Sequence, residues 1–280
     1  MNRVIGFVLH SDSSSVMPVF VSLSSALSAE GIDSFVVDES SEHALIAECE
    51  LVVVLGGDGT MLKAIDFVHP LSVPLIGINF GHVGFLAEAD VDDVQEVVSA
   101  IVNSRWFAES RVSLSIEVIR ENSMTYGTFA LNDVSVEKNN NQLMASLAIS
   151  VDDHPLMAWS GDGIVVSTPT GSTAYAFSAG GPVIWPTADV ILAVPLSAHA
   201  LFARPIVIAP DSVIEVTIAN PSASLTADGR RRFDLLLGDR VRVSRNDTPI
   251  TFARIHQTSF TERLVAKFQL PVSSWKERSQ

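Results

Sequence analysis

The sequence contains few of the residues on which several common protein classes depend. Its 280 residues include one cysteine, Cys49, which excludes an internal disulfide. Only four residues are lysines and none of them lies in a G-x-x-x-x-G-K-S/T loop, so the chain is not a P-loop kinase. The lysine, catalytic loop and D-F-G motif of protein kinases are also missing. No histidines or cysteines stand at metal-ligand spacing, and we expect no structural metal site.

Basic charge and long apolar runs are scarce as well. The formal net charge is −14 at pH 7, which argues against a nucleic-acid partner because nucleic-acid surfaces need a basic patch. No apolar run is long enough to span a bilayer, and the first residues do not have the pattern of a secretion signal. We therefore expect a cytoplasmic protein with no nucleic-acid and no membrane partner. An acidic protein that binds phosphates must compensate their charge locally, through N–H groups, arginines or a divalent cation.

The most informative stretch is residues 51–60, LVVVLGGDGT. Its five apolar residues predict a strand buried on both faces. Gly57 and Gly59 then allow a sharp turn and the close approach of a ligand, while Asp58 stands between them with nothing bulky beside it. Thr60 is predicted to cap a following helix, whose N-terminal N–H groups favour phosphate. Many strand-to-helix turns contain Gly and Asp for geometry alone, so Gly-Asp-Gly by itself is not diagnostic.

The hydrophobic periodicity divides the chain into three segments. Strand and helix patterns alternate over residues 1–108, which predicts a Rossmann-like domain with a parallel sheet. Apolar and polar residues alternate with frequent turns over residues 109–255, which predicts an all-β, sandwich-like domain. Phe260, Leu264 and Phe268 recur at every fourth position, so we expect a helix within residues 256–280 that returns to the first domain. The predicted fold class is thus α/β plus all-β.

Polar segments interrupt the apolar pattern at two places in the second domain. Asn132 and Asp133 stand between two apolar strand segments, where an amide can bind a sugar or a base, although Asn-Asp is also a common turn pair. The segment of residues 161–182 is rich in hydroxyl residues and glycines around Tyr175, whose ring can stack on a base. We expect these hydroxyls to contact a nucleotide. Phe85 offers a further aromatic face, although packing in the core is the simpler interpretation.

Taken together, these motifs resemble those of bacterial NAD kinases. The segments GGDGT, NFGHVGFLAE, LND, SGDGIVVSTPTGSTAYAFSAGGPV and ARPIVI occur in that family's order and spacing, and ADGRRR and FTERLVAKFQLPVSSW resemble its actinobacterial branch. The resemblance implies the NAD kinase fold and an enzyme that phosphorylates the 2′-hydroxyl of the adenosine ribose of NAD. It also implies Mg²⁺ as cofactor, ATP, another nucleoside triphosphate or polyphosphate as donor, and a homodimer or homotetramer.

The same resemblance implies the roles of individual residues. Asp58 corresponds to the general base at the ribose hydroxyl, and the sequence leaves open whether it is instead a metal ligand. Asp162 corresponds to a residue that can reach the ligand of a neighbouring subunit. Arg230 stands where many relatives carry Gln. The implied substrate-binding residues are Gly57, Asp58, Gly59, Phe85, Asn132, Asp133, Asp162, Thr173, Ala174, Tyr175, Ala176, Phe177 and Ser178.

Two other functions fit part of the sequence. An NAD(P)-binding sensor without turnover would keep the NAD pocket, but the presence of Asp58 favours an enzyme. A lipid kinase of the GGDGT class resembles the chain around residues 56–60 alone. Such a kinase would lack the long STPTGSTAY segment, and the sequence has no apolar or basic stretch suited to a membrane surface.

Overall fold

The structure is a computed structural model that describes residues 3–11, 13–80, 84–139, 144–220, 223–256 and 259–272. The chain forms two compact units, of which unit 1 comprises residues 1–110 and 250–280 and unit 2 comprises residues 111–249. The periodicity predicts that the second domain ends at residue 255, which is wrong. Residues 250–254 form a strand in the sheet of unit 1, so the second unit ends at Pro249.

Strands and helices follow one another in three stretches of the chain. Unit 1 begins with β1 (Val4–Leu9), α1 (Ser13–Ala29), β2 (Asp33–Val36), α2 (His43–Ala47), β3 (Leu51–Leu55), α3 (Asp58–Val68), β4 (Leu75–Asn79), β5 (Ala89–Asp90), α4 (Val94–Val102) and β6 (Phe107–Arg111). Unit 2 contains β7 (Leu114–Arg120), β8 (Ser123–Ala130), β9 (Asp133–Lys138), β10 (Ala145–Val151), β11 (His154–Gly161), β12 (Gly163–Ser167), α5 (Tyr175–Ser178), β13 (Ile191–Leu196), β14 (Ile206–Ile208), β15 (Ile214–Ile218), β16 (Ala223–Ala227), β17 (Arg231–Leu235) and β18 (Arg240–Arg245). The chain then returns to unit 1 with β19 (Ile250–Arg254) and α6 (Phe260–Phe268).

Unit 1 is a layered α/β structure. Within the described residues its sheet has the strand order β2-β1-β3-β4-β19-β6, with β5 beside β4, and the pairings of β1, β2, β3, β4 and β19 are parallel. Apolar residues of α1 and α4 pack on one face of the sheet, and α3 packs against β1, β3 and β4. Every residue of β3 and of β4 is buried because helices cover both faces of a parallel sheet. The predicted Rossmann-like architecture is confirmed.

Unit 2 is a sandwich of two antiparallel sheets. The described strands have the orders β11-β10-β15-β18-β7-β8 and β14-β13-β12-β9-β16-β17. Alternate residues of both sheets point inward and form one continuous apolar core that includes Ile116, Leu147, Ile164 and Val216. The predicted all-β, sandwich-like fold is confirmed, since the alternation of apolar and polar residues corresponds to the inner and outer faces of these strands.

One sheet of unit 2 is also covered on its outer face. Ala176 of α5 packs with Val165 of β12 and with Leu192 and Val194 of β13 in a second apolar cluster. This explains why all five residues of β12 are buried, whereas burial alternates along strands of the opposite sheet such as β10 and β15. The polar segment that follows β12 is therefore anchored on the sheet by α5. In the described parts of the chain, no helix is both long enough and apolar enough to cross a membrane.

Candidate functional site

The glycine-rich loop after β3 leads directly into α3. Gly57, in an extended conformation, is the N-cap of α3, and Asp58 is its first residue. The prediction that Thr60 caps this helix is wrong, because Thr60 lies in the first turn and is buried. A Cβ atom at Gly56, whose φ is +155°, would overlap the Thr60 hydroxyl, so the side chain of Thr60 fills the space beneath the turn.

The outer surface of this loop is open. Apart from chain neighbours and the backbone of α3 itself, a Cβ atom added at Gly57 or at Gly59 would have no atom of the described residues within 4 Å. The first N–H groups of any helix have no partner within the helix and carry part of its positive dipole. Two uncovered glycines on either side of Asp58 at such a helix start suit the close approach of an anionic ligand such as a phosphate.

The carboxylate of Asp58 is held by the loop that follows β4. Its Oδ2 accepts the N–H of Phe85 with an N···O distance of 3.1 Å, and its Oδ1 accepts the N–H of Leu86 at 3.2 Å. A Cβ atom at Gly84 would overlap Asp58 Oδ1, so only a glycine allows this approach. The structure thus brings together Asp58 and Phe85, which the sequence places in two separate motifs. Residues 81–83 of the second motif lie outside the described residues.

Phe85 contributes to this arrangement with its backbone, whereas its ring packs elsewhere in unit 1. The ring centroid lies 6.0 Å from that of Phe260 and 6.0 Å from that of Phe268, both on α6. The simpler interpretation from sequence, packing in the core, therefore describes this side chain. The ring of Phe85 thus packs α6 against the loop that binds the Asp58 carboxylate.

A buried ionic cluster beneath the same loop was not predicted from the sequence. The fully buried carboxylate of Glu88 accepts hydrogen bonds from Arg254 at 3.0 Å and from Arg263 at 3.1 Å, and also from the N–H groups of Ile255 and His256. Buried charges need such partners. The available signal was Glu88 inside the apolar segment GFLAEA, which periodicity alone does not connect with arginines more than 160 residues away.

A cleft of about 360 Å³ opens next to this cluster. Its lining includes Asn79, which ends β4, together with Gly84, Glu88, His256 and Arg263. Ligands of open α/β sheets bind at the carboxyl ends of the strands, and Asn79 lies at such an end. The cleft therefore belongs to the same edge of unit 1 as the Asp58 loop.

In unit 2, the segment that contains Asn132 is organised by Asp228, an aspartate of the segment ADGRRR. The carboxylate of Asp228 accepts the N–H groups of Leu131 at 2.9 Å, Asn132 at 2.7 Å and Asp133 at 3.3 Å. Arg231 donates to the same carboxylate at 2.8 Å and lies over the ring of Phe129. Burial raises the pKa of Asp228 to about 6 and lowers that of Arg231 to about 10.

Asn132 and Asp133, predicted together, have different environments. Asp133 is buried, and burial, with a smaller effect of the negative charge of Asp228, raises its pKa to about 7. Its side chain is thus not exposed to a ligand. Asn132 is half-buried, and its side-chain amide has no hydrogen bond within the described part of the chain, so it is the member of this pair that can bind a ligand.

Three hydroxyls of the segment after β12 bind backbone carbonyls. Ser167 donates to the carbonyl of Asn132 at 3.1 Å, Thr168 donates to the carbonyl of Leu131 at 2.6 Å, and Ser172 donates to the carbonyl of Pro169 at 2.7 Å. These three hydroxyls are buried and satisfied within the protein, whereas contact of the other hydroxyls of the segment with a nucleotide stays a prediction. The hydroxyls of Ser167 and Thr168 thus connect the segment after β12 with the segment that contains Asn132.

A second cleft, of about 490 Å³, lies on unit 2 and includes several predicted residues. Asp162 forms an ion pair with Lys138, and this side-chain hydrogen bond lowers its pKa. The hydroxyl of Tyr175 donates to Glu137 at 2.9 Å, and burial together with this acceptor raises the tyrosine pKa to about 12. Ser178 also lines the cleft. Acidic and basic side chains and the ring of Tyr175 thus surround an open space.

The other predicted residues near α5 differ in exposure. Thr173 is half-buried and donates to the carbonyl of Thr170 at 3.3 Å, and Ala174 is also half-buried. Ala176 is completely buried in the outer apolar cluster, so its side chain is not available to a ligand. The ring of Phe177 is exposed.

An α/β unit with an open GGDGT loop and a β-sandwich with a polar cleft define a two-domain nucleotide-binding protein of the kinase type. Residues 5–106 match the model of the ATP-NAD kinase N-terminal domain, and residues 131–255 match that of the ATP-NAD kinase C-terminal domain. The chain belongs to the NAD kinase family.

Similar proteins in other bacteria carry this name. The chain is 48% identical over 230 residues to NAD kinase 2 of Streptomyces coelicolor, which is 81% of this chain and 76% of that protein. It is 46% identical over 250 residues to the NAD kinase of Thermobifida fusca, which is 87% of this chain and 76% of that protein. The actinobacterial resemblance is confirmed by these relatives.

Solved structures show the same fold. Yeast NADH kinase in complex with NADH has a TM-score of 0.88 at 22% identity, over 97% of this chain and 88% of that one. An NAD kinase from Archaeoglobus fulgidus in complex with ATP has a TM-score of 0.72 at 25% identity, over 90% of this chain and 93% of that one. The fold class predicted from the sequence is thereby confirmed.

Proposed function

We propose that the protein is an NAD kinase that transfers the terminal phosphoryl group of ATP to the 2′-hydroxyl of the adenosine ribose of NAD, giving NADP and ADP. The observation that carries this proposal is Asp58, fixed by two N–H groups at the start of α3 between two uncovered glycines. Membership of the family supplies the substrate class, and the complex of the Archaeoglobus fulgidus enzyme supports ATP as donor.

Asp58 acts as general base in this proposal. Each of its oxygens accepts one N–H group, and a carboxylate oxygen has a further lone pair that can accept the ribose hydroxyl. The hydroxyl oxygen attacks the γ-phosphorus while its proton passes to Asp58, and the bond from that phosphorus to the bridging oxygen of ADP breaks. Base catalysis of this kind contributes a factor of about 10² to 10⁴ in rate.

The loop around Asp58 also compensates the charge of the phosphates. Gly57 and Gly59 leave the backbone uncovered, so a phosphate can reach the N–H groups of the first helical turn. Fixed N–H donors stabilise the charge that spreads over the transferred group without having to reorient during the reaction. No lysine is needed at this position.

The family implies Mg²⁺ as cofactor, and the residues of the loop fit such an ion. Among the described residues, no group of three or more histidines, cysteines and acids is arranged to hold a metal. Mg²⁺ usually keeps several waters and binds through substrate phosphates and one or two carboxylates, of which Asp58 can supply one. When bound, the ion would reduce the negative charge on the donor phosphates.

Residues of unit 2 are assigned to NAD binding. In unit 2, Asn132 offers an amide to the ribose or the base, and Tyr175 and Ser178 line a cleft with Asp162 suited to the rest of the dinucleotide. Within this proposal Asp162 acts in a homodimer or homotetramer, as the family resemblance implies. The cytoplasmic location expected from the sequence stays a prediction.

The test is NADP formation by the purified protein with NAD and Mg²⁺, supplied with ATP in one arm and polyphosphate in the other. We expect NADP with ATP, and a loss of at least about 10²-fold in kcat in Asp58→Asn with NAD binding retained. Asp92→Asn, a change of an exposed acid in the same unit, serves as the control and should leave the rate unchanged.

Two results would contradict the proposal. NAD binding without NADP formation from either donor would favour an NAD-binding sensor. Unchanged activity of Asp58→Asn would exclude the role of Asp58 as general base. Use of polyphosphate in place of ATP would correct the donor and keep the acceptor.

A further inference from the structure

We propose that Arg263, on the C-terminal helix α6, is a positioning residue that sets the carboxylate of Asp58 through the backbone of residues 85–87. This inference rests on the proposed function, since it concerns the residue assigned there as general base. Arg263 has no contact with Asp58 itself, and its effect is carried by one peptide group between them.

The connection begins at the Nη1 atom of Arg263. This atom donates to the carbonyl oxygen of Phe85 at 3.2 Å and to that of Ala87 at 2.7 Å. The carbonyl of Phe85 belongs to the same peptide group as the N–H of Leu86, which donates to Asp58 Oδ1 at 3.2 Å. A single planar peptide group therefore has the guanidinium at one end and the carboxylate at the other.

A second arginine completes the fixation of this loop. Arg254 of β19 donates through Nη1 to the carbonyl of Leu86 at 3.1 Å, so three consecutive carbonyls are bound by two arginines. Both guanidinium groups also donate to the buried carboxylate of Glu88. The side chains of Arg254, Arg263 and Glu88 are 3%, 12% and 0% exposed, so water does not screen or replace these contacts.

Two physical effects follow for Asp58. A guanidinium on a peptide carbonyl polarises that peptide and strengthens the hydrogen bond that its N–H donates. The same contacts also prevent the loop from moving away from α3. Since a displacement of about 1 Å of a reacting group can cost about 10²-fold in rate, a loop free to move would lower kcat. The affinity for NAD would change little, because NAD also contacts parts of the protein outside this loop.

Arg3 provides a matched control within the same unit. It too pairs with a glutamate, the half-buried Glu50, at 2.6 Å, and it too donates to the carbonyls of two neighbouring residues, Ile101 and Val102. Those carbonyls end α4 and are not part of the loop that holds Asp58. Loss of Arg3 therefore removes the same kinds of interaction without loosening Asp58.

The experiment compares Arg263→Ala, Arg263→Lys and Arg3→Ala in the full-length protein. For Arg263→Ala we expect kcat to fall by at least about tenfold, with KM for NAD within about threefold of the original value. Arg263→Lys should recover most of the rate, because an ammonium group at the position of Nη1 can donate to both carbonyls. Arg3→Ala should lower the melting temperature and leave kcat within about twofold.

A readout that does not depend on activity is amide hydrogen exchange, measured by NMR. We expect the amides of Phe85 and Leu86 to exchange about tenfold faster or more in Arg263→Ala, and at the original rate in Arg3→Ala. An unchanged exchange rate at these amides in Arg263→Ala overturns the inference, even if the protein forms no NADP. An unchanged kcat in Arg263→Ala also overturns the inference, and so does a loss of kcat in Arg3→Ala equal to that in Arg263→Ala. Failure of the unaltered protein to form NADP concerns the proposed function instead.

Discussion

Asp228 accepts a hydrogen bond from the backbone N–H of Asn132, 96 residues earlier in the chain, with an N···O distance of 2.7 Å. The same carboxylate binds the N–H of Leu131 and the guanidinium of Arg231. The backbone of the half-buried Asn132 is therefore held in place by a buried ion pair. Several properties of unit 2 should depend on this one carboxylate.

Replacement of Asp228 by alanine should destabilise the protein by about 3 kcal/mol or more. The change leaves Arg231, whose side chain is 19% exposed, without its carboxylate, and leaves buried N–H groups unpaired. Urea unfolding measures this difference. Asp234→Ala, which removes a carboxylate that is 75% exposed, should change the stability by less than about 0.5 kcal/mol. Similar losses in both variants would contradict the assignment of Asp228.

Gly171→Ala should disrupt the junction of the two polar segments of unit 2. A Cβ atom there would overlap the carbonyl oxygen of Asn132, which is backbone and cannot swing away. We expect a lower melting temperature together with weaker NAD binding, measured by calorimetry. Gly127→Ala, whose new methyl group would have its nearest neighbour at 3.9 Å, is the control and should melt as the original protein does.

Gly84→Ala should lower activity more than stability. The added Cβ would overlap Asp58 Oδ1, and the flexible carboxylate would turn away from the N–H groups of Phe85 and Leu86. We expect kcat to fall by about 10- to 100-fold, with a small change in melting temperature. If kcat of Gly84→Ala equals that of the original protein, the carboxylate acts equally well from another position.

Asp133 should make the stability depend on pH. Its pKa rises from 3.8 to about 7 on folding, so between these values the unfolded chain has released a proton that the folded protein retains. Its neutral form therefore supports the fold fully below about pH 4, and this contribution is lost as pH rises through 7. In Asp133→Asn the free energy of unfolding should fall less between pH 5 and 8 than in the original protein. If urea unfolding shows that the free energies of the original protein and of Asp133→Asn change equally between pH 5 and 8, the raised pKa is contradicted.

Local patterns in the sequence were enough to predict the Asp58 loop. The run of residues 51–55 is apolar at every position, and three glycines follow within five residues, so the strand and the turn that carries Asp58 are both determined within one short segment. The alternation of unit 2 was equally local. Both fold classes follow from periods of hydrophobicity that need no knowledge of distant partners.

What the sequence did not reveal depends on contacts between distant segments. Asp228 lies in a turn, and its second role requires the N–H groups of residues 131–133. The composition of the segment after β12 shows many hydroxyl groups. It does not show whether their hydrogen bonds go to a ligand or to a backbone carbonyl. Residues 250–254 look like one more strand of the sandwich, and their pairing with β4, which joins Phe252 to Leu75, and with β6 places them in the other sheet.

The position of β19 has a consequence for the order in which the protein is made. β19 lies between β4 and β6 in the sheet. During synthesis β6 therefore lacks this pairing partner until all of unit 2 has left the ribosome. At synthesis rates of about 5–20 residues per second, this delay is roughly 7 to 28 s. Unit 2, contiguous in the chain, has time to fold first, and the sheet of unit 1, whose strand β3 leads to Asp58, is complete only after β19 has been made.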